Sequence, residues 1–104
     1  MTTSIKIRTQ PSAELTELKL LISHPMENGR NRDPATNELI PAHFIRELTL
    51  DRNQSRLLTL KLGQSMSKNP FFSFQLKNCQ SGDRLSVNWI DNLGNTDYAE
   101  HIID

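Results

Sequence analysis

Residues 43–62 read HFIRELTLDRNQSRLLTLKL, and this stretch decides the fold class. Leucines occupy every second position on both sides of a polar turn, DRNQ; they are Leu48, Leu50, Leu58, Leu60 and Leu62. Apolar residues with a period of two are typical of strands that bury one face. The stretch therefore predicts two strands, residues 43–51 and 56–62, joined by a turn at 51–54.

The same alternation recurs outward from this hairpin in both directions. Strands are predicted at residues 4–10, 15–23, 72–76, 85–89 and 98–103. No segment combines a helical period with a cap and a stop signal. About seven short strands separated by turns predict an all-β, two-sheet β-sandwich. The length of 104 residues fits a single domain covering 1–104.

Composition and charge exclude several functions. The chain has 12 basic and 12 acidic residues and a net charge of zero. Binding to nucleic acid or to an anionic membrane needs a clustered basic face, which this balance does not favour. No apolar run is long enough for a transmembrane helix, and residues 1–10 do not form a signal peptide. Composition alone therefore indicates the cytoplasm, and the single Cys79 excludes an internal disulfide.

The connection from His24 to Phe44 interrupts the strand pattern. It contains Pro25, Pro34 and Pro41, charges of mixed sign, and no alternating or helical period. A connection of this length without secondary structure is uncommon in a compact domain and is usually functional. We expect it to form a surface that recognises a partner.

Apolar side chains at outward positions also favour association with another subunit. In the predicted register Phe44 and Arg46 face inward with Leu48, whereas Ile45 faces outward. The predicted outward apolar residues are Leu21, Ile45, Leu57 and Phe71. Such residues on a small sandwich with open edges give it reason to bind a partner or a second copy of itself.

A metal site or a catalytic site is not favoured by the residue spacing. The possible ligands are His24, His43, His101, Cys79, Glu27 and Asp33. No two histidines have a short ligand spacing, although His24 and His43 flank the same connection and could approach each other. The chain also lacks a nucleophile elbow and a glycine-rich phosphate loop. We therefore predict no enzyme, metal or cofactor; the alternative is a ligand- or metal-binding module that uses the His24–His43 connection.

Four short motifs, in order, resemble the SoxZ family. They are HPMENG at residues 24–29, LIPAHFI at 39–45, SKNPFFSF at 67–74 and WIDNLG at 89–94. The resemblance covers nearly the whole chain. It implies an immunoglobulin-like β-sandwich, in agreement with the strand count.

The resemblance also implies a function in bacterial thiosulfate oxidation. SoxZ is the non-carrier subunit of the SoxYZ complex, in which a cysteine in a Gly-Gly-Cys-Gly-Gly tail of SoxY carries the sulfur intermediates. The chain ends with HIID at 101–104 and is expected to bind SoxY in a heterodimer and to help present the loaded tail to other Sox enzymes. The resemblance further implies a periplasmic location, reached by export together with a signal-bearing SoxY.

The partner interface is predicted at the loops that carry these motifs. It comprises His24, Pro25, Met26, His43, Phe44, Asn69, Pro70 and Phe71. Met26 and Phe71 are the expected apolar anchors. Arg30, Arg32 or Lys68 could attract an anionic sulfur cargo, and the ordinary alternative is that these charges are solvated.

Overall fold

The computed structural model describes residues 3–104, which fold into seven β-strands. In chain order they are β1 (Ile5–Ser12), β2 (Leu15–Ile22), β3 (Ile45–Arg52), β4 (Ser55–Lys61), β5 (Phe71–Lys77), β6 (Arg84–Asp91) and β7 (Thr96–Ile102). The described residues include no helix capable of spanning a membrane.

The strands form two antiparallel sheets. One sheet has the order β1-β2-β5 and the other has the order β4-β3-β6-β7. The pairs β1–β2, β3–β4 and β6–β7 are hairpins, whereas the chain changes sheet between β2 and β3, between β4 and β5, and between β5 and β6. This architecture confirms the predicted all-β sandwich of seven antiparallel strands.

The core lies between the two sheets because each strand turns alternate side chains inward. The fully buried apolar residues are Leu18, Leu20, Ile22, Ile45, Leu48, Leu50, Leu85 and Val87. Each such side chain contributes roughly 1.5–3 kcal/mol when it leaves water. Of the alternating leucines in the opening stretch, Leu48 and Leu50 are fully buried, and Leu58, Leu60 and Leu62 pack against the core while partly buried.

The orientation predicted for Ile45 is wrong. Ile45 is 0% exposed, and Arg46 is exposed instead of facing inward. The cause is a β-bulge at the start of β3, where the pairing shifts between Ile45, opposite Asp91, and Glu47, opposite Ile90. One extra residue reverses the alternation, so Ile45 joins the core. The other predicted outward residues, Leu21, Leu57 and Phe71, are exposed.

The long connection between β2 and β3 folds back on itself. At its base, Glu27 and His43 exchange two backbone hydrogen bonds of 2.7 and 2.8 Å, and farther out Arg32 pairs with Leu39. Gly29 has a φ of +85°, and a Cβ there would meet the Cβ of Ala42 at 3.4 Å. The segment predicted to lack secondary structure is thus an irregular hairpin with a closed base.

Candidate functional site

Two histidines and one aspartate converge at the base of this connection. His24 follows β2, His43 precedes β3, and Asp91 ends β6. The Asp91 Oδ2 atom lies 3.2 Å from His24 Nε2 and 2.8 Å from His43 Nε2. The side chains of His24 and Asp91 are 2% and 0% exposed, whereas that of His43 is 29% exposed. We call these three residues the histidine–aspartate clamp.

The Asp91 carboxylate accepts hydrogen bonds from three segments. Its Oδ1 accepts the backbone N–H groups of Leu93 at 3.0 Å and Asn95 at 2.9 Å. Its Oδ2 accepts the side-chain amide of Asn95 at 3.2 Å in addition to His24 and His43. Burial alone would raise the pKa of Asp91, but these donors together lower it to about 2. The carboxylate is therefore an anion at neutral pH.

The hydrogen bonds of His24 define its tautomer. Its Nδ1 accepts the backbone N–H of Met26 at 3.1 Å, so the ring proton of the neutral form is on Nε2 and is donated to Asp91. Burial, helped by the nearby His43, lowers the pKa of His24 against the opposing effect of Asp91. The Trp89 ring packs edge-on against it at a centroid distance of 5.1 Å. His24 is thus a satisfied, neutral core residue.

The clamp has the residue types of a metal site, but its hydrogen bonds do not fit one. The three candidate ligand atoms lie within 4.8 Å of one another. To bind a cation through Nε2, a neutral His24 would need its proton on Nδ1, which faces the N–H donor of Met26. Two donors would then oppose each other, so the arrangement favours a structural clamp over a metal centre.

The remaining ligands considered from the sequence lie in other contacts. His101 Nε2 is 2.8 Å from the Thr9 hydroxyl, and Cys79 lies 3.6 Å from Arg52 Nη1. The Glu27 carboxylate accepts the side-chain amide of Asn31.

Met26 and Asn92 join the long connection to the body of the sandwich. Met26 is 5% exposed, has a φ of +48°, and its Sδ accepts the Ile45 N–H at 3.3 Å. Asn92 uses its side chain twice, accepting the Phe44 N–H at 2.8 Å and donating to the Ala42 carbonyl at 2.9 Å. These contacts fix the orientation of the connection where it enters β3.

The turn before β5 is attached to the same region. Asn69 Oδ1 accepts the His24 N–H, and the Asn69 N–H donates to the His24 carbonyl, each at 3.0 Å. The Pro70 carbonyl accepts the Ile22 N–H at 3.1 Å. The loops that contain residues 24 and 69, which are distant in sequence, are therefore joined by hydrogen bonds.

Family comparison identifies this chain. A family model described as Sulphur oxidation protein SoxZ matches residues 5–101. The chain belongs to the SoxZ family. A search of curated proteins found no match. Membership in the SoxZ family gives the chain a role in sulfur oxidation as a partner in the Sox system.

The motifs that resemble the SoxZ family meet in space. Residues 24–29 and 39–45 form the base of the irregular hairpin, residues 67–74 supply the loop joined to His24, and residues 89–94 supply Asp91 and Asn92. The four motifs therefore lie together at one end of the sandwich, which we call the clamp end.

The eight predicted interface residues all lie at the clamp end, but with different exposure. Pro25, Asn69 and Phe71 are exposed; His43 and Phe44 are half-buried; His24, Met26 and Pro70 are buried. The buried three support the surface, and the exposed ones are available for contact. Their role in binding a partner remains a prediction.

Asp91 is not among the site residues predicted from the sequence. The apolar alternation Leu85, Val87, Trp89 continues to position 91, which places a carboxylate on the inner face of β6. A buried carboxylate requires several donors, so this register was the signal that could have found it.

Proposed function

We propose that this SoxZ-family chain is the non-carrier subunit of a SoxYZ-type complex. It binds a SoxY-type subunit and helps present the cysteine-bound sulfur intermediates of that subunit to other Sox enzymes. The proposal rests mainly on the convergence of the family motifs at the clamp end, where buried polar groups support exposed residues. A pre-formed surface lowers the entropic cost of association.

The chemistry of the clamp supports a binding role over a catalytic one. A carboxylate with a pKa of about 2 is a poor proton acceptor at neutral pH. The Nε2 atoms of His24 and His43 both point at this carboxylate. The hydrogen bonds therefore position loops rather than prepare a group for proton transfer.

The surroundings of the clamp also carry the basic residues considered for cargo attraction. Arg30, Arg32 and Lys68 are exposed, and Arg32 donates to the Asn37 carbonyl at 2.9 Å. As part of the proposal, Arg30 and Lys68 provide a positive field for an anionic sulfur group carried by the partner. The proposal includes a periplasmic location, because the pathway implied by the family resemblance is periplasmic.

Co-purification with a SoxY-type subunit tests this function. We expect a stable 1:1 complex, with its mass measured by light scattering. A folded SoxY-type subunit that leaves this chain monomeric would contradict the proposal. Metal analysis of the same sample is the companion measurement, and a stoichiometric metal would instead support the ligand- or metal-binding alternative.

A further inference from the structure

The outer face of the three-stranded sheet carries an apolar pair framed by basic residues. The β1–β2 and β2–β5 registers place Lys6, Leu21 and Phe71 in one row across the sheet. The next row on the same face contains Arg8, Lys19 and Ser73. Because side chains two residues apart share a face, these rows form one surface, which we call the basic groove.

The basic groove has an exposed apolar floor. Leu21 and Phe71 are directly opposite each other in the register and are 40% and 57% exposed. Together with Lys6, Arg8 and Lys19 they line a depression of about 270 Å³. Aromatic residues and arginine are enriched at protein interfaces, so Phe71 and Arg8 favour a binding role for this depression.

Basic residues outnumber acidic ones on this face, where Lys6, Arg8 and Lys19 lie near the single acid Glu17. Within residues 3–104, Lys6 and Arg8 make no salt bridge, and Lys19 pairs with Glu17 at 3.3 Å. On the four-stranded sheet Arg56 pairs with Asp51 and Arg84 pairs with Glu100. Arg46 and Lys61 of that sheet make no salt bridge among the described residues, which makes them suitable controls. The chain as a whole is neutral, so the positive charge of the groove is a local feature.

We propose that the basic groove is the docking surface for the SoxY-type subunit, and that the occupant is an apolar projection surrounded by acidic side chains. This inference rests on the proposed function and specifies the face that performs it. Charge complementarity selects the partner, because the two cations without local counter-charges would lie beside its carboxylates. The apolar pair then supplies most of the affinity.

The groove also adjoins the clamp end. Phe71 begins β5 directly after the loop that contains Asn69 and Pro70, and Asn69 is bonded to His24. A stable heterodimer buries about 800 Å² on each partner. The exposed residues Pro25 and Asn69 lie on the joined loops next to the start of β5 and extend the surface available for such a contact.

The test is the affinity of single-site and double-site variants for the SoxY-type subunit, measured by surface plasmon resonance. We expect Phe71→Ala to weaken binding by at least about 30-fold. Leu21→Ala should weaken it by about 10-fold. Its matched control is Ile102→Ala, because Ile102 is a comparably exposed aliphatic residue (47%) on the other sheet, and this control should change the affinity less than about 2-fold.

Charge reversal provides a second readout. Lys6→Glu combined with Arg8→Glu should slow association by at least about 10-fold and reduce its dependence on ionic strength. The control is Lys61→Glu combined with Arg46→Glu, which makes the same change in net charge at exposed positions of the other sheet. If a groove variant fails to fold by circular dichroism, the other groove variants decide the result.

The outcomes separate the inference from the proposed function. Wild-type affinity in all groove variants would overturn the docking surface and leave the SoxY-binding proposal intact. Failure of the wild-type chain to bind would overturn both. A homodimer of this chain that Phe71→Ala dissociates would show that a second copy occupies the groove, and would overturn the proposed occupant.

Discussion

The two ends of the sandwich are closed by different kinds of contact. At the clamp end, side chains far apart in sequence meet in a buried site, as His24 and His43 do around Asp91. At the opposite end, the turns are joined by exposed contacts, such as the hydrogen bond from the Asn53 side chain to Asp83. Buried polar contacts are costly when broken, whereas exposed ones are replaced by water. Perturbations should therefore have large effects at one end and small effects at the other.

The largest expected effect comes from removing the centre of the clamp. Asp91→Ala leaves the buried His24 without its acceptor and leaves the Leu93 and Asn95 N–H groups unpaired. We expect a loss of about 3–5 kcal/mol in the free energy of unfolding, measured by urea denaturation. Asp83→Ala is the control at the opposite end and should cost far less. Equal losses for the two variants would contradict the distinction between the ends.

The next largest effect on stability is expected for Met26. The sequence predicted both Met26 and Phe71 as interface anchors, but the two substitutions should differ in their cost to stability. Met26→Ala removes a buried side chain and should cost about 2–4 kcal/mol of stability. Phe71→Ala removes an exposed side chain and should leave the thermal midpoint within a few degrees of wild type. A Met26→Ala protein with wild-type stability and impaired partner binding would show that Met26 contacts the partner directly.

Acidification should weaken the clamp in two steps. The lowered pKa of His24 means that the unfolded state takes up its proton first, so stability falls as the pH drops through about 6.5. The native Asp91 titrates near 2 and the unfolded one near 3.8, so about 2 kcal/mol more is lost between these values. Urea titrations from pH 7 to pH 2.5 measure this dependence.

The Asp91→Asn variant is the control for the pH profile. It should lose the part of the acid dependence below pH 4 that belongs to the clamp and retain the part that comes from Asp97, whose pKa is also about 2 because Ser4 hydrogen-bonds to it. An unchanged profile in Asp91→Asn would show that the clamp does not control acid stability.

The smallest effect is expected at the β3–β4 turn, at the opposite end. Asn53 and Gln54 have φ values of +50° and +70°, the conformation that two-residue hairpin turns require. Glycine adopts this conformation without strain, so Gln54→Gly should stabilise the protein by up to about 1 kcal/mol. A thermal melt measures the gain, and partner binding should be unchanged. Destabilisation by this substitution would show that the Gln54 side chain has a structural role there.

The alternation of apolar residues predicted the strands well because each strand buries one face. It failed at Ile45, since a bulge is not visible in a pattern of period two. The clamp could be anticipated only in part. Sequence order does not show that residues 24, 43 and 91 meet, because that depends on how the two sheets pack. The inward register of Asp91 was the available signal.

The closed base of the long connection also separates its tip mechanically from the clamp. The two hydrogen bonds between Glu27 and His43 hold the ends of the connection together, and the exposed turn at residues 34–37 lies in the segment between these two residues. Lengthening a surface turn costs little entropy when its ends are already held together. A fluorescent label or short peptide tag inserted at Thr36 would therefore report on complex assembly in solution while leaving the histidine–aspartate clamp and the basic groove undisturbed.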